Sequence, residues 1–241
     1  ATGTGKTYLS AFDVKAFNPK KFLFIVHREN IARTALESYR NVIGEKKYGI
    51  LSGTRKDYDA DYLFAMIQTI SQDEQLYQFS PDHFDYIVID EVHRSGAQSY
   101  IKVLNHFKPQ FLLGMTATPE RTDGFNIYQH FDYNIAYEIR LKDALEADLL
   151  APFHYFGVTE IEVDGEILDD YADFNRLTSD ERVRHIIETI EFYGYHGTRP
   201  RGLIFCSRIE EAEILSEKFN HYGYRTVALS GKHSETEREE A

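Results

Sequence analysis

The sequence has a single cysteine, Cys206, and no apolar run near the ~18–20 residues that a membrane-spanning helix needs. One cysteine closes no internal disulfide, which excludes a disulfide scaffold and points to a reducing, cytoplasmic compartment. No basic-then-apolar leader opens the chain, so no secretion signal is expected. Internal repeats and low-complexity tracts are lacking, and the ten histidines show no metal-ligand spacing. Positive charge is scarce as well: 27 Lys+Arg against 39 Asp+Glu leave a formal charge of −12 over 241 residues. That balance argues against binding nucleic acid by bulk charge, while leaving room for a local basic or polar track.

What is present is a core. Hydrophobic residues make up 42% of the chain and charged residues 27%, ordinary for a globular protein of one large domain or two modest ones. Short apolar runs alternate with amphipathic stretches. Phe22–Val26, Tyr62–Ile67, Tyr86–Ile89 and Phe111–Met115 read as strands, with helices over Glu29 to about Val42 and Ser99–Phe107 and a polar-amphipathic stretch over Ser71–Phe79. Runs of this kind between helices predict an α/β class whose parallel strands are buried on both faces. After a boundary expected near residue 150, Phe153–Val158, Gly202–Cys206 and Arg225–Leu229 read as further strands. Leu141–Leu150, Ser179–Phe192 and Ile209–Tyr222 read as helices, and Asp164-Gly165 as a turn. Ser234-Glu235-Thr236-Glu237 has the form of a capping box opening a new helix. The 17 Tyr and 17 Phe could supply stacking platforms for bases, but most fall within strand or helix patterns and read as core. Cys206 reads as a small buried hydrophobe in its apolar run.

Two stretches carry chemistry. Ala1-Thr2-Gly3-Thr4-Gly5-Lys6-Thr7 fits G-x-x-x-x-G-K-[ST] apart from the first glycine, expected before Ala1. Glycines let backbone N–H groups turn toward phosphate oxygens, and a helix opening near Lys6 adds its positive end. Lys6 would reach the β- and γ-phosphates, and Thr7 would give its hydroxyl to Mg²⁺. The plainer alternative is a glycine-rich loop beside an exposed lysine. Ile87-Val88-Ile89-Asp90-Glu91-Val92-His93 delivers two carboxylates to the end of a buried strand, the edge where open α/β sheets bind ligands. Asp90 suits the Mg²⁺ shell, and Glu91 suits orienting or deprotonating an attacking water. Paired acids there can also be ordinary helix-capping residues.

Together with Met115-Thr116-Ala117-Thr118-Pro119, these stretches resemble motifs I, II and III of superfamily 2 helicases. The likeness is to the DEAH-like branch that contains restriction-enzyme motor subunits and DNA-repair helicases. Phe24–Asn30 resembles motif Ia, Met66–Ser71 the segment after motif Ib, Leu203–Arg208 motif IV, and Ala228–Gly231 the next strand end. The resemblance implies two RecA-like domains with parallel sheets, residues 1–150 nearly complete and 151–241 truncated. It implies ATP and Mg²⁺ as cofactors, held by Thr2, Gly3, Thr4, Gly5, Lys6, Thr7 and Asp90, with Glu91, Lys6 and Asp90 catalytic. His93, Thr116 and Thr118 would couple the nucleotide to a nucleic-acid strand contacted by Arg28, Thr69 and Ser207, with Gln68, Arg208 and Gly231 as weaker candidates. DNA is the implied partner, with RNA or an ATP-gated binding module as alternatives, no membrane, and further domains of a longer parent chain. Nothing after Gly231 matches motifs V and VI. Motif VI supplies an arginine worth about 10³–10⁵ in rate in related NTPases. Feeble ATP hydrolysis is therefore expected of these residues alone.

Overall fold

The structure, a computed structural model, describes residues 3–94, 96–118, 126–158, 162–163, 166–167, 174–234, 237–238 and 241. The chain divides into two compact units, Ala1–Phe153 and His154–Ala241.

In the first unit, β1 (Phe22–Val26), β2 (Tyr48–Leu51), β3 (Tyr62–Met66), β4 (Tyr86–Ile89) and β5 (Phe111–Gly114) form an all-parallel sheet in the order β2-β3-β1-β4-β5. Helices α1 (Lys6–Phe17), α2 (Glu29–Ile43), α3 (Ile67–Ile70), α4 (Asp73–Leu76) and α5 (Gln98–His106) lie before and between the strands, and α6 (Leu141–Glu146) follows. Because side chains alternate along a strand, the sheet sorts its apolar residues onto two faces. Phe22, Phe24, Tyr62, Phe64, Tyr86 and Val88 pack with Ala11, Val14, Ala32, Ala35 and Tyr39 of α1 and α2. Leu23, Ile25, Leu63, Ala65, Ile87 and Ile89 pack with Ile67, Ile70, Leu76, Tyr100, Val103 and Phe107. The first face is aromatic, and the alanines of α1 and α2 let both helices lie close on large rings. Each large apolar side chain buried this way stabilises by about 1.5–3 kcal/mol.

The expected strands β1, β3, β4 and β5 are all present, and the stretch 71–79 contributes only the single turn of α4. Strand β2 was not foreseen: four residues including Gly49 carry too little pattern. Its glycine is required by packing, since a Cβ at Gly49 would lie 2.6 Å from Ala60 Cβ and 2.7 Å from Asp57 Cβ. Gly114, at the end of β5, is under the same constraint. A Cβ there would stand 2.3 Å from Cζ of Phe131, whose 3-10 turn, Ile127–Phe131, folds back onto the strand. Gly114→Ala is expected to destabilise the first unit by about 1–3 kcal/mol through overpacking. Thermal melts should show Gly114→Ala/Phe131→Leu recovering part of that loss; no recovery would place the strain elsewhere.

The second unit holds β6 (Glu162–Val163) and β7 (Glu166–Ile167), an antiparallel pair, and helices α7 (Phe174–Leu177), α8 (Asp180–Tyr193) and α9 (Ile209–His221). The Asp164-Gly165 turn lies between the paired residues, outside the described ones. Ser179 caps α8, its Oγ accepting from the Arg182 N–H. Val183, Leu215 and Phe219 form the small core, joined by Ile186, Ile187, Cys206 and Tyr224. Ser234 and Glu237 make the reciprocal capping-box bonds, 2.6 Å from the Ser234 N–H to the carboxylate and 3.3 Å from the Glu237 N–H to Oγ.

Three expected strands are not strands. Phe153–Val158, Gly202–Cys206 and Arg225–Leu229 run without ladder partners, so the parallel sheet expected for the second unit is not formed among its described residues. An apolar run becomes a strand only when neighbours take its N–H and C=O groups, and here Leu203 (83% exposed) and Phe205 (89% exposed) are left uncovered. Helix α6 is also shorter than expected, and Cys206 is half-buried rather than enclosed.

Candidate active site

All five strands are parallel, so their carboxyl ends share one edge of the sheet. Helix α1 starts at that edge and runs back to the opposite one. Its C-cap, Asn18, lies just before β1, and twelve residues at ~1.5 Å each make a helix of ~18 Å, about the length of a five-residue strand. Lys6, the first residue of α1, therefore stands at the same edge as Asp90. Gly3 and Gly5 both have φ of 77°, a left-handed backbone that glycine adopts without cost. Gly5 is the N-cap, no side chain caps the helix, and its first turn holds no acidic residue. No acidic residue of the helix's own first turn offsets its positive end, the arrangement that receives anions. Thr2 lies outside the described residues.

Asp90 continues β4, its N–H donating to Ile25 O at 3.0 Å, and its Oδ1 accepts the Glu91 N–H at 3.0 Å. Burial first, and the charge of Glu91 second, push its carboxyl above the ordinary value. The Glu91 N–H, the Lys6 ammonium and His93 pull the other way. Lys6 and Asp90 therefore act on each other within one electrostatic site. Glu91 follows with φ of 53°, an uncommon backbone for a side chain other than glycine, asparagine or aspartate. The turn it begins is pinned by the Val92 N–H donating to Met115 O at 2.9 Å.

His93 joins the two segments. Its Nδ1 is 3.0 Å from Glu91 Oε2 and 3.0 Å from Thr116 Oγ1. Nδ1 thus sits between the two oxygens, and its role as donor or acceptor toward Thr116 is set by the ring's tautomer. Thr116 Oγ1 also accepts from the Thr118 N–H at 3.1 Å. Glu91, His93, Thr116 and Thr118 form one chain of contacts, from the end of β4 to the segment after β5.

Farther along the edge, Arg28 is exposed at the N-cap of α2. Gln68, exposed after β3, donates to the His27 carbonyl at 3.3 Å and ties the two loops. Thr69 is only 4% exposed, so Gln68 rather than Thr69 presents the surface there. In the second unit the Ser207 hydroxyl and N–H both donate to Glu211 Oε2, at 2.9 and 3.0 Å. Glu211 in turn accepts from Arg182 at 2.9 Å. Sequence reasoning missed Arg182 and Glu211; a glutamate in the first turn of α9, as in a capping box, is the one signal that could have suggested Glu211.

Residues 1–121 match the family model for the type III restriction enzyme res subunit. The chain belongs to that family. Its motifs place it among superfamily 2 helicases of the restriction-motor kind. It is 31% identical to the type I restriction enzyme EcoAI endonuclease subunit of Escherichia coli, covering 89% of this chain and 30% of that one. It is 26% identical to irc3 of Schizosaccharomyces pombe, described as a mitochondrial ATP-dependent helicase, over 99% of this chain and 42% of the relative. The chain thus spans less than half the length of these relatives. Among solved structures, a fragment described as the HsdR subunit of a type I restriction enzyme from Vibrio vulnificus aligns with a TM-score of 0.64 at 25% identity. That alignment covers 92% of this chain and 40% of that one. The Hef helicase domain of Pyrococcus furiosus shares the fold, with a TM-score of 0.52 at 21% identity over 92% of this chain and 49% of its own. No helix among the described residues is long and apolar enough to cross a membrane.

Proposed function

We propose that the chain is part of the core of a Mg²⁺·ATP-driven motor that moves along or remodels DNA, with residues 1–150 as ATP-binding domain 1 and 151–241 as part of domain 2. The observation that carries this reading is that Lys6, the first residue of α1, and Asp90, just past β4, come from two separate motifs to the same edge of a parallel sheet. The donor set fits the cofactor: an uncapped helix end and an ammonium suit a triphosphate, and a half-enclosed carboxylate suits a hard cation. Thr2 to Thr7 hold the phosphates, and Thr7 and Asp90 hold Mg²⁺. The cation supplies neutralisation of charge on the transferred phosphoryl oxygens. Glu91 orients the attacking water and takes its proton. His93 holds Glu91 and passes its position to Thr116 and Thr118, while Arg28, Gln68 in place of the buried Thr69, and Ser207 serve the nucleic-acid side. The restriction-enzyme relatives favour DNA and a restriction role over DNA repair.

Glu91→Gln tests the assignment. Binding of Mg²⁺·ATP should persist, single-turnover hydrolysis should fall by about 10²–10⁴, and single-stranded DNA should be held more tightly with ATP present. Hydrolysis at the wild-type rate would remove Glu91 from the mechanism. At matched salt, stronger stimulation by single-stranded RNA than by DNA would move the substrate to RNA.

A further inference from the structure

Behind the phosphate loop lies a buried polar link that the proposed chemistry does not use. Tyr39, on α2, is fully buried, and its hydroxyl donates to Ser10 Oγ at 2.8 Å. Ser10, on α1 and 1% exposed, donates that same hydroxyl's proton to the carbonyl of Thr7 at 2.8 Å. The tyrosine ring has no freedom to swing away. It stacks on Phe22 at 5.1 Å and meets Phe24 and Phe64 edge-on at 5.4 and 5.3 Å. Burial pushes the phenol far above its ordinary pKa, so it stays a neutral donor. A second strap, from the Tyr86 hydroxyl to the Asp13 carboxylate, fixes the middle of α1 to β4. The Tyr39 link reaches higher on the helix, to the first turn, where Lys6 and Thr7 sit.

We propose that Tyr39 is a positioning residue for the phosphate loop, holding the first turn of α1 through Ser10 and the Thr7 carbonyl so that Thr7 meets its ligand without rearrangement. The link also joins the nucleotide side to α2, whose N-cap, Arg28, lies about 16 Å of helix before Tyr39. This inference rests on the reading of residues 2–7 as the nucleotide site. Sequence alone cannot reveal it: Tyr39 and Ser10 are 29 residues apart, and each reads as an unremarkable helical position.

Tyr39→Phe removes one oxygen and keeps the ring contacts. Tyr62→Phe is the control, because Tyr62 lies on the same aromatic face and donates to Pro19 O at 3.1 Å, at the opposite edge of the sheet. The measurement is titration of the full chain with a fluorescent ATP analogue in Mg²⁺, alongside thermal melting of each variant. Tyr39→Phe should weaken binding about fivefold, a hydrogen bond's typical ~1 kcal/mol, and Tyr62→Phe should leave it unchanged. Ser10→Ala should weaken binding similarly, and the double variant Tyr39→Phe/Ser10→Ala should be no weaker than the weaker single one, as for two members of one link. Wild-type affinity in Tyr39→Phe, or equal weakening in Tyr62→Phe, would overturn the proposal while leaving the nucleotide site intact. If the wild-type chain itself binds no Mg²⁺·ATP, the nucleotide site fails and the positioning role falls with it.

Discussion

Lys6→Ala is expected to weaken Mg²⁺·ATP binding by about 10²–10³-fold. A unit charge ~4 Å from a phosphate oxygen, in surroundings of effective dielectric ~20, contributes about 4 kcal/mol, which corresponds to about 10³ in affinity before solvation is counted. The same substitution should not harm the fold. A lysine at the first position of a helix opposes the helix dipole, and α1 has no acidic residue in its first turn to offset it. Relief of the dipole and loss of the attraction to Asp90 oppose each other, so the melting temperature should change little. Lys6 also favours the ionised form of Asp90. Without it the Asp90 carboxyl rises further above its ordinary pKa, so the variant's residual Mg²⁺ affinity should fall off at a higher pH than the wild type's. Isothermal titration with Mg²⁺·ATP across pH, paired with melting curves, checks all three. Nucleotide affinity within threefold of wild type would remove Lys6 from the phosphate site.

Much of the first unit was legible because its signals are local. Strands β1, β3 and β4 are continuous apolar runs enclosed on both faces, and α2 has a broad apolar stripe, so pattern and environment agree. Strand β2 escaped because its four residues form a strand only by pairing with β3, a contact that composition does not announce. In the second unit the same reading erred the other way: Leu203-Ile204-Phe205 has the residues of a buried strand, yet no described neighbour pairs with it. The candidate site divides similarly. Lys6, Asp90 and Glu91 stand in motifs whose spacing reveals them, and His93 with Thr116 could be guessed as partners. Tyr39–Ser10 and Arg182–Glu211 could not, since each pair joins residues 29 apart on different helices with no periodic signal.

The largest effect on stability is expected from Arg182→Met in the second unit. Glu211 is 2% exposed, with Oε1 paired to Arg182 and Oε2 accepting both the N–H and the hydroxyl of Ser207. Burial alone drives its carboxyl upward, but the bonds from Arg182 and Ser207 together outweigh it and hold the pKa below the ordinary 4.5. Removing the guanidinium strands a buried charge, which typically costs about 3–5 kcal/mol. Arg182 also donates to the Leu177 carbonyl, so that acceptor is orphaned as well. Hydrogen exchange should show the loss locally, with amides of α8 and α9 exchanging faster while those of β1, β3 and β4 keep their protection. Arg182→Met/Glu211→Leu should recover part of it, since no unpaired charge remains, but not all, because Ser207 loses its acceptor. The sign with pH follows from the lowered pKa. The contribution of Glu211 is fully present above the ordinary 4.5 and is lost as pH falls through the lower folded value, so protection of α8 and α9 should weaken on acidification below that point. In Glu211→Gln this acid dependence should flatten. Protection in Arg182→Met equal to wild type, or an acid dependence in Glu211→Gln as steep as before, would show that the pair contributes little and that the packing of Val183, Leu215 and Phe219 holds the two helices together.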